Sequence, residues 1–519
     1  MLESERDEYK RLYVALMEAY RKLEAGLTRH HRERFTDAGE QTTLLSLLGM
    51  LTGGETAPAA VPVPPTSVEA HTRVKPTGRK PLPEKLPRID VEVLPLEVQK
   101  AGLDAYERLG EDVTETVEHR PASFVVVRVT RPKYVAKVKL DTLPVEGSTP
   151  VLQGEVPQLP IPRALAGPGL LADSVIKRWD DHLPLYRMER IYGREGLELA
   201  RSTICGWHQA VATLCALLVD AMFADALKNS PYLCTDATGV LVQETEKCRT
   251  GHFFVLVAPG KHVLFRYTPT HDGKAVDALL GGYSGILLAD AHSVYEHLYK
   301  DGTVLKAGCW CHARRYFCKA LDSDGTRARY ALSLVQQLFQ FEREWKSLAP
   351  AERLRLRQAQ AKPVVDAFFR WCEDESLKVL DATPISKGIN YALNQRDGLS
   401  RFLTDGRLPI HNNISENALR REALGRKNWL FLGSDDGGVV NATLVTLIAS
   451  CRMHNLEPRA YLRDLLCLLP DWSTHRLLEL APASWAATLA REDVQRQLAA
   501  NIFRQASLGA PPAVPTVKQ

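Results

Sequence analysis

The sequence predicts a mixed α/β core that is interrupted by a long helical segment and preceded by small N-terminal modules. Three observations lead there. Apolar strands alternate with helical stretches between residues 230 and 320. Charged amphipathic helix patterns fill residues 324–400. Two Pro-rich stretches before residue 163 set off short segments of different character. A chain of 519 residues suggests roughly three domains, and 45% apolar residues are enough for a sizeable core.

The formal net charge is only +4, so any nucleic-acid contact needs locally concentrated positive charge. Ten scattered cysteines form no framework and fit a reducing compartment. The opening MLESERDEYK has no apolar signal core, and no run of about 18 apolar residues occurs. A cytoplasmic chain with no membrane partner is expected.

Residues 1–50 open with a helix. Leu2, Tyr9, Tyr13, Leu16, Tyr20, Leu23 and Leu27 follow heptad spacing, broken only by Arg6. This spacing favours a coiled coil, and with it a homo-oligomer. An amphipathic helix packed on its own domain would give the same pattern. Residues 51–89 are a Pro-rich linker ending in a basic arm, HTRVKPTGRKPLPEKLPR. Arg79 and Lys80 sit in its Gly-Arg-Lys-Pro centre, where extended backbone suits phosphate or minor-groove contacts. A solvated basic linker is the other reading.

Residues 90–140 are expected to form a small β-rich module. Phe124–Val129 makes one strand and Lys133–Val138 another, with Arg131-Pro132 between them. A second linker covers 141–162. Residues 163–228 are helical, with one helix ending near Tyr192-Gly193 and a second starting after Ser202. Helix, short glycine turn, helix is the helix-turn-helix pattern, which would set Arg201, Ser202, Thr203, Trp207 and His208 on a recognition helix. An αα-hairpin that merely packs fits as well.

Residues 229–323 carry candidate strands at Tyr232–Gln243, His252–Ala258, His262–Thr268, Gly285–Asp290 and Thr303–Trp310. A three-stranded meander followed by alternating helix and strand is the order of an RNase H-like core. Residues 324–405 form an all-helical insertion. Residues 406–440 complete the core with a helix starting near Asn413. Residues 441–519 are helical, with a frayed tail from 506.

Asp236 lies inside the first core strand, Asp290 ends the apolar run GILLAD, and Glu416 stands in a helical turn after Asn412-Asn413. Each has an ordinary explanation: a solvent-facing strand residue, a helix N-cap and an exposed helix glutamate, respectively. Together they form a set. Phosphodiester cleavage by two metal ions needs carboxylates that converge from separate elements, and oxygen ligands suit Mg²⁺.

The chain resembles the large transposase of the insertion sequence 66 family. The resemblance rests on GRKPLPEKLPR (78–88), LGEDVTETVEHRPASF (109–124) and RPKY (131–134). It continues in the block LAGPGLLADSVIKRWDDHLPLYRMERIYGREGLELARSTICGW (165–207), TDATGV (235–240), LLADAHSVYEHLY (287–299), CWCHARRYF (309–317) and LPIHNNISENALRREALGRKNWLFLGSDDGG (408–438). It implies a DDE enzyme with Asp236, Asp290 and Glu416 as catalytic metal ligands, Mg²⁺ as cofactor and Mn²⁺ as a substitute. The implied partners are double-stranded DNA, as terminal inverted repeats and as target, and small accessory transposition proteins. Arg314, Arg315, Arg426 and Lys427 are the phosphate-facing candidates near the site, beside Arg79, Lys80 and Arg201 further upstream. A catalytically decayed DNA-binding relative is the alternative.

The sequence departs from the family pattern in three places. The stretch 97–140 lacks the family's paired cysteines, so no zinc is expected there. His411 replaces an aspartate, and Asn417 replaces an arginine. Cys309, Cys311, His312 and Cys318 are also not expected to bind zinc, because ligands crowded on one segment poorly form a tetrahedron.

Overall fold

The structure, a computed structural model, describes residues 82–84, 86–120, 123–136 and 151–509. The predicted heptad helix, and Arg79 and Lys80 of the basic arm, lie outside the described residues. One compact unit comprises Leu82–Leu321 and Thr326–Gln519; of the other, only the short Asp322–Gly325 stretch is described.

The first sheet contains β1 (Arg88–Glu92), followed by helix α1 (Leu96–Ala101), then β2 (Tyr106–Arg120), β3 (Ser123–Ala136) and β4 (Leu152–Gln153). The strand order is β1-β3-β2, with β4 beside β3. The two short strands expected at 124–129 and 133–138 are therefore one long strand running through Pro132. Val93 N–H donates to the Thr130 carbonyl, so even-numbered β3 residues face β1. Pro132 faces the same side just past the end of β1, where its missing N–H breaks no ladder bond. β2 is absent from the sequence expectation because its side chains are mostly polar or charged, and its Leu109 and Val113 remain exposed.

The apolar run of β3 is covered on both faces. Phe124 and Val126 join Val117 in the main core, while Val125, Val127 and Val129 pack with Phe503 and Ala506. Those last two residues belong to one helix, which runs past residue 506, where a frayed tail is expected to begin.

Next come α2 (Pro168–Trp179), α3 (Leu185–Arg194) and α4 (Arg201–Asn229). The Glu118 carboxylate of β2 meets the start of α2, where Oε1 accepts from Leu170 N at 2.5 Å and from His119 N at 2.8 Å. A Cβ at Gly167 or Gly169 would overlap that carboxylate. This accounts for the glycines of the run LAGPGLL, with Pro168 at a first-turn position whose N–H is not needed.

The helix pair α3–α4 is seen as predicted, but α4 is a core helix 29 residues long. Trp207 is 7% exposed and His208 3% exposed. The His208 Nε2 lies 3.3 Å from Ser174 Oγ of α2. These two residues pack inward and cannot read a groove; Arg201, Ser202 and Thr203 stay exposed. By length and composition α4 could also cross a membrane, with a mean hydropathy of 1.9 over its most apolar window. Its apolar stripe of Ile204, Val211, Cys215, Leu218 and Met222 is buried in the protein core, while Thr213, Asp220 and Lys228 face outward.

The second sheet is built from β5 (Tyr232–Gln243), β6 (Cys248–Ala258), β7 (His262–Thr268), α5 (Gly273–Leu280), β8 (Gly285–Leu288) and β9 (Val304–Ala307). Its order is β7-β6-β5-β8-β9. The first three strands form the expected antiparallel meander, and β8 and β9 run parallel to β5. The last two strands are shorter than expected. Helix α6 (Trp310–Lys319) follows β9.

Helices α7 (Gly325–Glu344), α8 (Pro350–Leu356), α9 (Lys362–Ser376), α10 (Pro384–Asn394) and α11 (Arg396–Ser400) occupy the predicted helical stretch. Trp310, fully buried, ties them to the core: its ring packs against Phe368 and Phe402, and its Nε1 donates to the Leu399 carbonyl at 2.8 Å. The chain closes with α12 (Asn413–Trp429), β10 (Phe431–Leu432) beside β5, α13 (Asp435–Met453), α14 (Pro458–Leu468), α15 (Trp485–Leu489), α16 (Glu492–Ala500) and α17 (Ile502–Leu508).

Helix α13 covers the outer edge of β7. Phe265 N donates to Thr446 Oγ1 at 2.8 Å, and Val263 N donates to Ser450 Oγ at 3.0 Å. Helix hydroxyls thus satisfy edge amides that would otherwise be open.

Two predictions concern stability. Gly169→Ala should lower it by about 1–3 kcal/mol, read as a reduced urea midpoint, because the added methyl must displace the Glu118 carboxylate. An unchanged midpoint would contradict that packing. Burial lowers the His208 pKa from 6.5 to about 3. The unfolded chain therefore binds a proton that the folded chain refuses between those values. This contribution is complete above pH 6.5 and declines by about 1.4 kcal/mol per pH unit as pH falls below it. The thermal midpoint of His208→Asn should fall less steeply with acid than that of the parent chain.

Candidate active site

Asp236 and Asp290 stand at the same level of neighbouring parallel strands. Cys234 of β5 pairs with Leu288 of β8, and each aspartate lies two residues further along. Asp236 remains within β5, whereas Asp290 lies just past the carboxyl end of β8, the edge where open α/β sheets place their ligands. The N-cap explanation for Asp290 fails: the 3₁₀ turn that follows is capped by the His292 side chain, and Asp290 Oδ1 accepts from His292 N at 3.2 Å.

Glu416 is in the first turn of α12, and Asn412 fixes where that turn begins. Although Asn412 occupies the N-cap position, its side chain makes no cap bond. It is fully buried, and its Nδ2 donates to the Thr235 carbonyl, one residue before Asp236, at 2.8 Å. Its backbone N–H donates to Cys309 Sγ at 3.2 Å, and its carbonyl accepts from Glu416 N at 3.2 Å. One residue thus joins β5, the β9–α6 junction and the glutamate helix. Further along α12, Arg421 pairs with Asp180, and Arg426 Nη1 donates to Thr238 Oγ1 at 2.9 Å and to the Gly239 carbonyl.

The three carboxylates interact electrostatically. Burial raises Asp236 to about 6, and the Asp290 and Glu416 charges push in the same direction, against the Ala237 amide and His312. Glu416 Oε1 has no hydrogen-bond partner; the His312 Nε2 is 3.5 Å away and Arg315 Nη2 is 4.0 Å away. Carboxylates whose charges interact, one of them with an unspent oxygen, form a donor set suited to a hard divalent cation.

Other predicted residues fall into three groups. Arg314 and Arg315 are exposed on α6, the latter beside Glu416, and Lys427 is exposed in the last turn of α12. Arg426, half-buried, bonds β5 through its Nη1, a structural contact that the sequence does not predict. Arg201 is exposed and pairs with Glu189 at 3.1 Å. His411 stacks on Phe339 with ring centroids 6.1 Å apart, and Asn417 is exposed.

Sequence reasoning missed the tether made by Asn412, since an Asn before a helix signals a cap and nothing local points to Thr235. It also missed that His312 and Glu416 meet. Cys309, His312 and Glu416 offer ligand atoms that all lie within 4.8 Å of one another, and no other such trio occurs among the described residues. The acidic trio is therefore more widely spaced.

A mixed α/β sheet with one aspartate within a central strand, a second just past the end of its parallel neighbour and a glutamate delivered after a helical detour fits the DDE class of transposases. The chain belongs to the IS66 transposase family: the model described as "Transposase IS66 family" matches residues 163–440, and the "IS66 C-terminal element" matches 446–483. Two similar proteins come from Sinorhizobium fredii (strain NBRC 101917 / NGR234). "Uncharacterized protein y4hP" is 30% identical over 91% of this chain and 89% of its own length. "Uncharacterized protein y4qI" is 32% identical over 78% of this chain and 77% of its own length.

Replacing Asn412 by Ala strands the buried Thr235 carbonyl and frees the start of α12. The expected cost is about 1–3 kcal/mol of stability. Faster amide exchange should follow at residues 413–416, with no change at the distant β1–β3 pairing. Uniform exchange changes across the chain would refute the local tether.

Proposed function

We propose that this protein is a catalytically competent transposase with an RNase H-like core. It cleaves DNA at terminal inverted repeats and joins the freed ends to target DNA. The observation that carries the reading is that Asp236 and Asp290 stand at one level of neighbouring parallel strands while Asn412 ties the Glu416 helix to the residue before Asp236. The strand order β7-β6-β5-β8-β9, three antiparallel strands and then two parallel ones, supports the RNase H-like assignment. Competence, rather than decay, is favoured because neither of the two departures that flank the glutamate engages a carboxylate. His411 leans on Phe339, and Asn417 points to solvent.

In this reading Asp236, Asp290 and Glu416 hold Mg²⁺, with Mn²⁺ as a substitute. Bound there, the cations supply activation of the attacking oxygen and charge relief for the leaving one. The chain's own groups do the rest. Asn412 sets the distance between Glu416 and Asp236. His312 and Arg315 border Glu416 and limit its swing. Arg314, Arg315 and Lys427 offer cationic contacts to the phosphate backbone. Cleavage adds water across a P–O3′ bond and leaves a 3′-hydroxyl. In transfer that hydroxyl attacks a target phosphorus and displaces its 3′-oxygen. A homo-oligomer that synapses two ends, small accessory transposition proteins and a cytoplasmic location complete the proposal.

The test uses the full chain with Mg²⁺ and DNA carrying the cognate ends. Asp236→Asn should reduce nicking and strand transfer to below about one hundredth of the parent rate while DNA binding persists, since even indirect supports of metal ligands cost 10–100-fold. Equal cleavage by the variant would overturn the assignment, and end binding without any cleavage by the parent chain would favour a decayed enzyme.

A further inference from the structure

We propose that Cys309, His312 and Glu416 form a binding site for one thiophilic divalent cation of the Zn²⁺ type, whose occupancy withdraws Glu416 from the acidic set. The second half rests on the catalytic reading above; the first does not.

The three ligand atoms lie within 4.8 Å of one another. In a tetrahedral zinc site, bond lengths of about 2.0–2.3 Å separate ligand atoms by roughly 3.3–3.7 Å. His312 Nε2 and Glu416 Oε1 already stand 3.5 Å apart. The ligands come from different places: the residue before α6, the first turn of α6 and the first turn of α12. The crowding that argues against a zinc set confined to 309–318 does not apply once Glu416 supplies the third ligand, and Cys318 is not part of the trio.

The surroundings suit a bound ion. Cys309 is 1% exposed and its sulfur accepts the Asn412 N–H at 3.2 Å, a donor that favours a thiolate. Glu416 Oε1 and His312 Nδ1 make no hydrogen bond. The His312 and Glu416 side chains are 20% and 32% exposed, leaving a route in and room for a water as fourth ligand. Thiolate and imidazole select Zn²⁺ or Co²⁺ over Mg²⁺, whereas Asp236 and Asp290 offer only hard oxygen. Binding releases the Cys309 thiol proton to solvent. The two kinds of ion therefore share one carboxylate, and a soft ion on the Cys309 side competes with hard ions on the Asp236 side.

The experiment titrates the reduced full-length chain with Co²⁺, then displaces it with Zn²⁺. A thiolate-to-Co²⁺ charge-transfer band saturating at one ion per chain is expected, and Zn²⁺ should abolish it. Cys309→Ser and His312→Gln should lose the band, Glu416→Gln should weaken binding at least tenfold, and Cys318→Ser should keep it. No band in the parent chain, or a full band in Cys309→Ser, overturns the site. Stoichiometric Zn²⁺ should also suppress Mg²⁺-dependent cleavage, less so in Cys309→Ser relative to that variant's own rate. Zn²⁺ binding without suppression overturns the competition. A chain with no cleavage at all counts against the catalytic reading alone, and the spectroscopic result still decides the cation site.

Discussion

The buried side-chain amide of Asn412 is the bond on which the arrangement of the site depends. It donates to the β5 backbone one residue before Asp236, while the same residue's N–H reaches Cys309. Three elements distant in sequence meet at this residue, which is fully excluded from water. A buried amide without its acceptor would be costly, so the pairing is strongly specified. Glu416, one turn along, inherits its position from that pairing. The Arg426 bonds to Thr238 and Gly239 hold the other end of α12 to the same strand.

The rest of the molecule supports that strand. The meander lays β6 and β7 on one side of β5, and β8 and β9 extend it on the other. The helical insertion is not a loose excursion: it packs around the buried Trp310, two residues before His312. The first sheet is joined to the helices by Glu118, which the glycines at 167 and 169 allow to approach the start of α2.

Much of this could be read from the sequence where local pattern and tertiary packing agree. β5 and β7 have the expected bounds because their apolar runs are flanked by turn residues. The helix from Asn413 and the helical stretch after 324 were likewise legible. The failures share a cause, since in each the partner lies far away in sequence. β2 reads as charged because its neighbours supply its burial. Residues 506–508 read as the start of a tail because the valines that cover Ala506 and Phe503 are in β3. Trp207 and His208 look like groove readers until α2 closes over them. Asp236, Asp290 and Glu416 were individually weak, and only strand order and family blocks joined them. The cluster of Cys309 and His312 with Glu416 was invisible, since it needs a ligand from more than a hundred residues downstream.

The covering of β7 by α13 has a counterpart at the opposite end of the second sheet. Beyond β9, Gly308 N donates to the Gly398 carbonyl at 2.8 Å, and Arg401 Nε donates to the Lys306 carbonyl at 3.2 Å. Hydroxyls close one border, and a backbone bond with a guanidinium closes the other. Among the described residues, a second chain would find the Val263 and Phe265 amides of β7 and the Lys306 carbonyl of β9 already paired.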